Sequence, residues 1–562
     1  MPFAPKSVAR CLLVVVVLGC FAPLAGAKQP AAPAAVATAH PVATAAGLAI
    51  LDEGGNAFDA AVAVSATLAV VEPFSSGLGG GGFWLLYRAQ DAHYVMVDGR
   101  EVAPRRAHAS MYQNDRGEIV PGRSIDGALA AGIPGEPAAL VHVAERYGRL
   151  PLARSLAPAI RAARDGFRVG PAYRRLARLR LEALRASASA SLVFLKNGEV
   201  PPLDHRIVQA DLAHTFERIA DKGRAGFYEG ALARQLVEGV QAAGGIWKLE
   251  DLRDYRVAER APIVGMFRGA RIISAPPPSS GGVALLAMLN ILDGYPKVGL
   301  SSLTGKHLLI ESMRRAYRDR AEFLGDPDFV SVPVARLTSQ AHAMTLRQSI
   351  RLDAATPSAE LAPVPVSGSG HHTTHFSIQD RDGNRVAATL SINYPFGSGF
   401  VVPGTGVLLN DEMDDFAAKP GVPNVYGLVG AQANAIAPGK RMLSSMSPTF
   451  VETPDRVALL GTPGGSRIIT MVLHGILAVL DGKSAAQIVG APRFHHQYLP
   501  DVVQFEIDAL DEDERSGLAG MGHVLKALDE RYGNMQVVVF NRKSGALDAA
   551  SDPRGEGRAI VR

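Results

Sequence analysis

The feature that most constrains the fold of this chain is an abrupt change of composition about two thirds of the way along it. Residues 353–372 are rich in Pro, Ser, Ala and Gly, which favours an exposed segment without regular structure. At Thr373 the pattern changes to alternation, over 373–379 and again over 385–394, with a turn between the two runs. This pattern predicts a β-hairpin whose first strand begins at a threonine.

A threonine at such a junction has two interpretations. Its hydroxyl is a weak nucleophile unless a base activates it, and a threonine at a chain N-terminus can use its own α-amine as that base. The amine has a reference pKa of about 7.7–8.0, so a substantial fraction is neutral near physiological pH. This interpretation requires cleavage of the bond between His372 and Thr373. On this feature alone, an ordinary strand threonine is favoured.

The first 27 residues have the pattern of a secretory signal peptide. Lys6 and Arg10 precede an apolar run over 11–18, which is too short to span a bilayer. Ala-Gly-Ala at 25–27 fits a cleavage site. The residues up to Cys20 also resemble a lipoprotein box, so a lipid anchor there stays open. We therefore expect a periplasmic or secreted protein.

The overall composition is that of a folded, soluble protein. Of the 562 residues, 47% are hydrophobic and 20% are charged, and the formal net charge is +4. Acidic and basic residues are interspersed, so nothing favours nucleic acid as a partner. Both cysteines, Cys11 and Cys20, lie in the leader, so we expect neither a disulfide nor a thiol nucleophile in the mature chain.

Helical and extended patterns alternate in a way that indicates an α+β fold, with packed sheets covered by helices. Asn56, followed by Asp59, predicts the start of a helix that ends before Pro73. Beyond the hairpin, strands are predicted over 400–409, 447–452 and 456–461, and a helix over 466–480.

Several polar residues next to predicted strands have the chemistry to hold an amino acid. Arg100 follows a strand, and its planar guanidinium matches a carboxylate. The acidic run 410–415 could hold an ammonium group, although a calcium-type or solvated loop is the alternative. Ser444 and Ser445 add hydroxyl donors. Together these residues suit a ligand that carries both an amine and a carboxylate.

Glycine and histidine motifs are less informative. The run 463–466 precedes a predicted helix, so its N–H groups could stabilise an oxyanion. The glycines of 79–82 lack the lysine of a phosphate-binding loop, which favours close chain packing. His371, His372 and His375 lie in a β-prone context without a glutamate, so we expect no metal site.

Taken together, these motifs resemble the bacterial gamma-glutamyltranspeptidase family, whose members are also called glutathione hydrolases. The resemblance covers about residues 40–555. The motifs are EGGNA at 53–57, GGGGF at 79–83, DGRE at 98–101, PPPSSGG at 276–282, TTHFS at 373–377, NDEMDDF at 410–416, LSSMSP at 443–448, PGGSR at 463–467 and FHHQ at 494–497.

The resemblance implies an N-terminal-nucleophile hydrolase fold, a four-layer αββα sandwich, made from a precursor that cuts itself before Thr373. Residues 28–372 would form the large subunit of a heterodimer and 373–562 the small subunit. The implied activity is hydrolysis of glutathione and other γ-glutamyl amides, with transfer of the glutamyl group to water, amino acids or peptides through an ester on Thr373. No cofactor is implied.

The resemblance also assigns the site residues. The glutamyl α-carboxylate would be held by Arg100, Ser444 and Ser445, and the α-amine by Asn393, Glu412 and Asp415. Gly464 and Gly465 would supply N–H groups to the oxyanion, and 420–426, with Tyr426, resembles a lid over the pocket.

One position departs from the family pattern. Ser391 stands where the family usually has a threonine close to the amine of the nucleophile. Since the hydroxyl is retained and only a methyl group is lost, the resemblance implies retained activity with slower maturation.

Two alternatives stay open. A β-lactam side-chain acylase of the cephalosporin type, with the same architecture, would prefer glutaryl groups without an α-amine. Its sign would be loss of the acidic pair, but Glu412 and Asp415 are both present. An unprocessed binding protein would remain a single uncut chain.

Overall fold

The computed structural model describes residues 1, 3–4, 32–361, 373–419 and 421–562. Most of the predicted signal peptide, including Cys20, lies outside the described residues, as do His371, His372 and Pro420 of the predicted lid. The chain divides into a short unit, Met1–Ala32, and a large unit, Pro33–Arg562, and the helices and strands of the described residues all belong to the large unit. Among the described residues, no helix combines the length and apolarity needed to cross a membrane.

Both element types are distributed along the large unit. The helices are α1 Pro41–Asp52, α2 Ala57–Val71, α3 Glu136–Tyr147, α4 Leu152–Asp165, α5 Pro171–Leu179, α6 Leu181–Ala186, α7 Ala188–Phe194, α8 Ala210–Lys222, α9 Ala225–Tyr228, α10 Gly230–Ala242, α11 Leu249–Asp254, α12 Gly281–Asp293, α13 Leu303–Phe323, α14 Val334–Leu337, α15 Gln340–Gln348, α16 Ile468–Leu480, α17 Ala485–Gly490 and α18 Glu512–Gly520. The strands are β1 Ala35–Thr38, β2 Gly81–Arg88, β3 His93–Gly99, β4 Phe167–Arg168, β5 Arg206–Ile207, β6 Ala258–Arg260, β7 Ile263–Phe267, β8 Ala270–Ser274, β9 Thr374–Gln379, β10 Arg385–Ser391, β11 Thr449–Glu452, β12 Arg456–Gly461, β13 Phe494–His495, β14 Val503–Glu506, β15 Leu525–Leu528, β16 Gln536–Asn541, β17 Leu547–Ser551 and β18 Arg558–Val561.

Two antiparallel sheets form the centre of the molecule. The first has seven strands in the order β18-β1-β9-β10-β2-β3-β6, and the second has six in the order β17-β16-β12-β11-β8-β7. Smaller sheets, β13-β14-β15 and β4-β5, lie outside this pair.

Side-chain alternation along β2 shows how the layers stack, since successive side chains of a strand point to opposite faces. Trp84 and Leu86 pack into a core with helices that include α2, α3 and α4. Phe83 and Leu85 pack into a second core, shared with the six-stranded sheet and with α12, α13 and α16. The layer order is therefore helix, sheet, sheet, helix, as expected for the αββα sandwich.

The predicted hairpin is confirmed as β9 and β10, which pair in antiparallel register with Thr374 opposite Leu390. The prediction of a strand over 400–409 is wrong, since Val401 and Leu408 form only an isolated bridge. Between them, Pro403 lacks an N–H donor, and the positive φ angles of Gly404 and Gly406, 70° and 68°, turn the chain.

The predicted start of α2 is also confirmed. The Asn56 side chain accepts hydrogen bonds from the N–H groups of Phe58 and Asp59, and Asp59 Oδ2 accepts from Asn56 N at 2.9 Å. Asp59 also accepts from the N–H groups of Arg149 and Leu150, at 2.9 and 3.2 Å. One buried carboxylate therefore caps α2 and fixes the segment between α3 and α4 to it.

Replacing Asp59 by Ala is expected to lower the free energy of unfolding by about 2–4 kcal/mol, because the capping box of α2 loses its carboxylate half and two further backbone donors lose their acceptor. Denaturant unfolding followed by circular dichroism measures this. Asp91→Ala is the control, because it removes only an exposed ion pair with Arg88 and should change stability little. Equal effects of the two substitutions would contradict this role of Asp59.

Candidate active site

Thr373 lies directly before β9, an inner strand of the seven-stranded sheet between β1 and β10, and is 6% exposed. It lines a small pocket. The predicted site residues that line the same pocket are Arg100, Ser391, Asn393, Glu412, Asp415, Tyr426, Ser444, Ser445 and Gly465. Gly464 lines a second, larger cleft, which Thr373 also borders. The structure thus brings the predicted residues together around Thr373.

Glycines at the end of the seven-stranded sheet make this convergence possible. A Cβ on Gly80 would lie 2.1 Å from the carbonyl oxygen of Ser391, and one on Gly81 would lie 2.3 Å from that of Gly99. Larger residues would therefore separate the strand ends that carry Ser391 and Arg100. The interpretation of 79–82 as a close-packing motif is confirmed.

Arg100 is the electrostatic centre of the pocket. Its guanidinium is fully buried and bonds Glu412 Oε2 at 2.6 Å and Asp415 Oδ2 at 2.5 Å. Glu101 Oε2 lies 3.4 Å from the same group. One guanidinium therefore faces three acidic side chains, and their carboxyl oxygens could also accept hydrogen bonds from a further cation such as an ammonium group.

The acidic groups respond to this environment. Burial, the largest cause, raises the pKa of Glu412 to about 7, against the opposing effects of Arg100 and of a hydrogen bond from Ser391. Burial and the charge of Glu412 hold the pKa of Glu101 well above its ordinary value. Glu412 therefore changes its charge near neutral pH.

Ser391 links the hairpin to the acidic residues. Its hydroxyl accepts a hydrogen bond from Asn393 N at 2.8 Å and bonds the Glu412 carboxylate. Asn393 has a positive φ of 72°, and its side-chain amide donates to the carbonyl oxygen of Asp411 at 3.0 Å. The residue that departs from the family pattern is thus a direct contact of a predicted ammonium ligand.

Two loops hold the predicted carboxylate ligands. Ser444 N donates to the carbonyl of Pro278 at 2.8 Å, and Ser280 N donates to the carbonyl of Ser444, also at 2.8 Å. The buried Arg320 donates to Ser445 Oγ at 3.3 Å. The motifs at 276–282 and 443–448 therefore support each other.

The glycine turn at 464–465 lies under Tyr426. Gly464 and Gly465 have positive φ values of 145° and 54°, and a Cβ on Gly465 would lie 2.6 Å from the Tyr426 ring. Tyr426 is 4% exposed, and its hydroxyl donates to the carbonyl of Asn393 at 2.7 Å. Tyr426, the predicted lid residue, therefore lines the pocket and contacts both the 464–465 turn and Asn393.

Sequence reasoning missed three residues of this site. Glu101 was part of the DGRE motif, so its place next to Arg100 was the available signal. Arg320 and Asn424, which donates to Asp415 Oδ1 at 3.2 Å, had no signal beyond their polarity.

One group of side chains has a ligand set that could hold a metal ion, namely His307, Glu311 and His523, whose ligand atoms lie within 4.8 Å of one another. However, the His307 ring bonds His523 at 2.8 Å and the Arg351 carbonyl at 2.7 Å. Glu311 already pairs with two buried arginines, and these positive charges oppose a cation. We interpret the group as a structural network. His375 is buried and bonds Thr389 and Ser377.

Comparisons with known proteins agree with this geometry. The profile of the family described as Gamma-glutamyltranspeptidase matches residues 43–562. The glutathione hydrolase proenzyme of Escherichia coli (strain K12) is 43% identical over 525 residues, which cover 92% of this chain and 90% of that protein.

Solved structures give the fold. The cephalosporin acylase from Bacillus halodurans superposes with a TM-score of 0.83 at 28% identity, over 97% of this chain and 99% of the other. The Helicobacter pylori gamma-glutamyltranspeptidase superposes with a TM-score of 0.56 at 38% identity, over 58% of this chain and 93% of the other. The fold is thus that of the N-terminal-nucleophile hydrolases, and since the family profile and the 43% identical relative both span most of the sequence, the chain belongs to the gamma-glutamyltranspeptidase family.

Proposed function

We propose that this protein hydrolyses glutathione and other γ-glutamyl amides and transfers the glutamyl group to water, amino acids or dipeptides. The observation that carries the proposal is the pocket in which Thr373 lies with one buried guanidinium and its carboxylate partners. A substrate with an ammonium and a carboxylate on the same carbon complements these adjacent negative and positive side chains.

Maturation would come first. The Thr373 hydroxyl attacks the carbonyl carbon of His372, the C–N bond breaks, and the proton moves to the nitrogen, leaving an ester. This acyl shift frees the α-amine of Thr373. Water then cleaves the ester, which frees the His372 carboxylate and the Thr373 hydroxyl. We propose 28–372 and 373–562 as the resulting subunits of a heterodimer, after removal of residues 1–27 in the periplasm or on secretion. Mass spectrometry of the purified protein would detect cleavage after residue 27, cleavage between residues 372 and 373, and any lipid on Cys20.

In turnover, the α-amine of Thr373 takes the hydroxyl proton while the oxygen attacks the γ-carbonyl carbon of the substrate. Backbone N–H groups of Gly464 and Gly465 would stabilise the oxyanion. The proton passes to the leaving amine, and a glutamyl ester remains on Thr373. Water or the amine of an acceptor then attacks the ester and regenerates the hydroxyl.

Recognition of the glutamyl group follows from charge. Its α-carboxylate would bind Arg100, Ser444 and Ser445. Its α-ammonium would join Glu412, Asp415 and Asn393, so each charge enters a site of opposite sign. Tyr426 would exclude water from these ion pairs, which strengthens them.

An acylase for glutaryl side chains is the second candidate, because the Bacillus halodurans cephalosporin acylase shares this fold over almost the whole chain. The retained carboxylates of Glu412 and Asp415 favour an aminated substrate instead. An unprocessed binding protein would differ from both in remaining uncut.

Thr373→Ala is expected to give a single uncut chain without γ-glutamyl hydrolysis, because no hydroxyl is present to attack the preceding carbonyl. Gel electrophoresis and mass spectrometry follow the cut, with Thr345→Ala on the exposed face of α15 as a control that matures normally. Normal cleavage of Thr373→Ala at 372–373 would show that another protease makes the cut.

Asp415→Ala is expected to lower kcat/KM for a γ-glutamyl amide by about thirtyfold or more, since loss of one partner of a desolvated charge pair costs about 2–5 kcal/mol. A glutaryl amide, which has no α-ammonium, should lose little. The two substrates assayed on the same variant are the internal control. Equal losses on both would mean that Asp415 maintains the fold of the pocket and does not recognise the amine.

Ser391→Ala is expected to slow maturation and to lower kcat/KM by about 5- to 150-fold, the effect of one buried hydrogen bond. It should also move the acid limb of kcat/KM to higher pH. The acid limb depends on Glu412 as well as on the Thr373 amine, because Glu412 must be ionised to hold an ammonium. The Ser391 hydrogen bond favours that ionised form, so its loss raises the pKa of Glu412.

Ser391→Thr is the matched control, because it keeps the hydroxyl and should be neutral or faster in both steps. The cleavage rate and the pH profile of γ-glutamyl hydrolysis are measured for both variants. If Ser391→Ala has the cleavage rate and pH profile of the parent, Ser391 has no role in maturation or turnover.

A further inference from the structure

A second buried carboxylate, Glu72, lies at the nucleophile but outside the small pocket around Arg100. It follows the last residue of α2, and it is 5% exposed. Its Oε2 accepts a hydrogen bond from the hydroxyl of Thr374 at 2.8 Å, across 302 positions of the chain. Thr374 is the residue after the nucleophile and the first residue of β9, and it is 1% exposed.

The position of Glu72 relative to Thr373 is well defined. Both residues line the larger cleft, whereas the small pocket is bordered by Thr373 but not by Glu72. Thr373 therefore borders both spaces: Glu412 and Asp415 line the small pocket, and Glu72 lines the larger cleft. None of the proposed contacts with the glutamyl group uses Glu72.

We propose that Glu72 is a positioning residue for Thr373: its carboxylate holds the Thr374 hydroxyl, fixes the start of β9 and places a negative charge close to the nucleophile's own amine. The inference rests on the proposed function, because it concerns the same threonine. It adds a residue that acts on the nucleophile and not on the glutamyl group.

The hydrogen bond provides the positioning. The pairing of β9 with β10 begins at Thr374, the residue that Glu72 holds. An anchor at the adjacent residue restrains the backbone from which the Thr373 hydroxyl and amine project. Loss of that anchor would leave binding in the glutamyl pocket unchanged and make attack slower.

The charge of Glu72 gives the second effect. Burial raises the pKa of Glu72 to about 7, the Thr374 hydrogen bond opposes this, and the charge of Glu556 adds to it. A nearby negative charge favours the protonated form of an amine, so it sets the pH at which the Thr373 amine can act as a base.

Other charged groups border the same cleft. Three arginines are already bonded to side chains nearby, namely Arg467 to Gln504, Arg531 to Asp508 and Arg554 to Glu506. Arg175, Asp529 and Glu530 complete the charged lining with Glu556. Within the described residues, Glu72 is the buried carboxylate of this lining that contacts the residue next to the nucleophile.

Two substitutions separate the hydrogen bond from the charge. Thr374→Val removes the hydroxyl at nearly constant shape, so maturation should slow and kcat should fall by about 5- to 150-fold with KM near that of the parent. Thr374→Ser keeps the hydroxyl and should restore both rates. Glu72→Gln keeps an acceptor and removes the charge, so the acid limb of kcat/KM should move to lower pH by about 0.5 unit or more.

Glu136→Gln is the matched control. Glu136 is also buried, also bonds a hydroxyl, that of Ser65, and burial also raises its pKa to about 7. It does not line the cleft or the pocket. Its substitution should leave the pH profile unchanged, and thermal unfolding of every variant reports any general loss of stability.

The assay is γ-glutamyl p-nitroanilide hydrolysis from pH 5 to 10, with the cut followed by mass spectrometry. The inference is overturned if Thr374→Val or Glu72→Gln behaves like the parent, or if Glu136→Gln gives the same pH shift. Should Glu72→Gln yield no folded protein, the two Thr374 variants decide. Slow maturation and low kcat in Thr374→Val, with parent-like rates in Thr374→Ser, would support the inference. Equal rates in Thr374→Val and Thr374→Ser would overturn it. A parent protein that neither cuts itself nor hydrolyses the substrate would instead overturn the proposed function.

Discussion

A guanidinium without access to water has to be compensated by the protein, and this requirement on Arg100 determines the arrangement of the site. Arg100 comes from the end of β3, and its partners Glu412 and Asp415 come from a short 3-10 helix more than 300 positions later. Their ion pairs can form only if the sheet end, the glycine-rich segment at 79–82 and the loop after β10 meet closely. The glycines at that sheet end permit the approach, and the charges make it favourable.

The same arrangement explains how one fold can serve two substrate classes. The sandwich and the nucleophile position supply acyl transfer, and the fold is shared with the Bacillus halodurans cephalosporin acylase. Under the proposed function, discrimination between an aminated and an unaminated acyl group would depend on the acidic side chains around the guanidinium. In this chain three acidic side chains surround it, with Glu412 and Asp415 at 2.6 and 2.5 Å and Glu101 at 3.4 Å.

Local patterns in the sequence were sufficient to predict much of the fold. The hairpin at 374–391 and the cap formed by Asn56 and Asp59 depend on neighbouring residues, and both were predicted. The predicted strand over 400–409 is wrong because Pro403 and two glycines in the left-handed region interrupt the apolar alternation. Motifs predicted Thr373 and the residues of its pocket, but the Arg100–Glu412 pairing and the Glu72–Thr374 bond join distant segments. No local pattern encodes such contacts.

The strand order has a consequence for what a cut before Thr373 can and cannot do. In the seven-stranded sheet β1 lies between β18 and β9, and β10 lies next to β2, so segments from before and after the cut alternate across one hydrogen-bonded layer. In the six-stranded sheet β8 likewise pairs with β11. The two products would therefore be interleaved and not merely docked on each other. Separating them would mean breaking both sheets, so subunit dissociation and global unfolding become the same event.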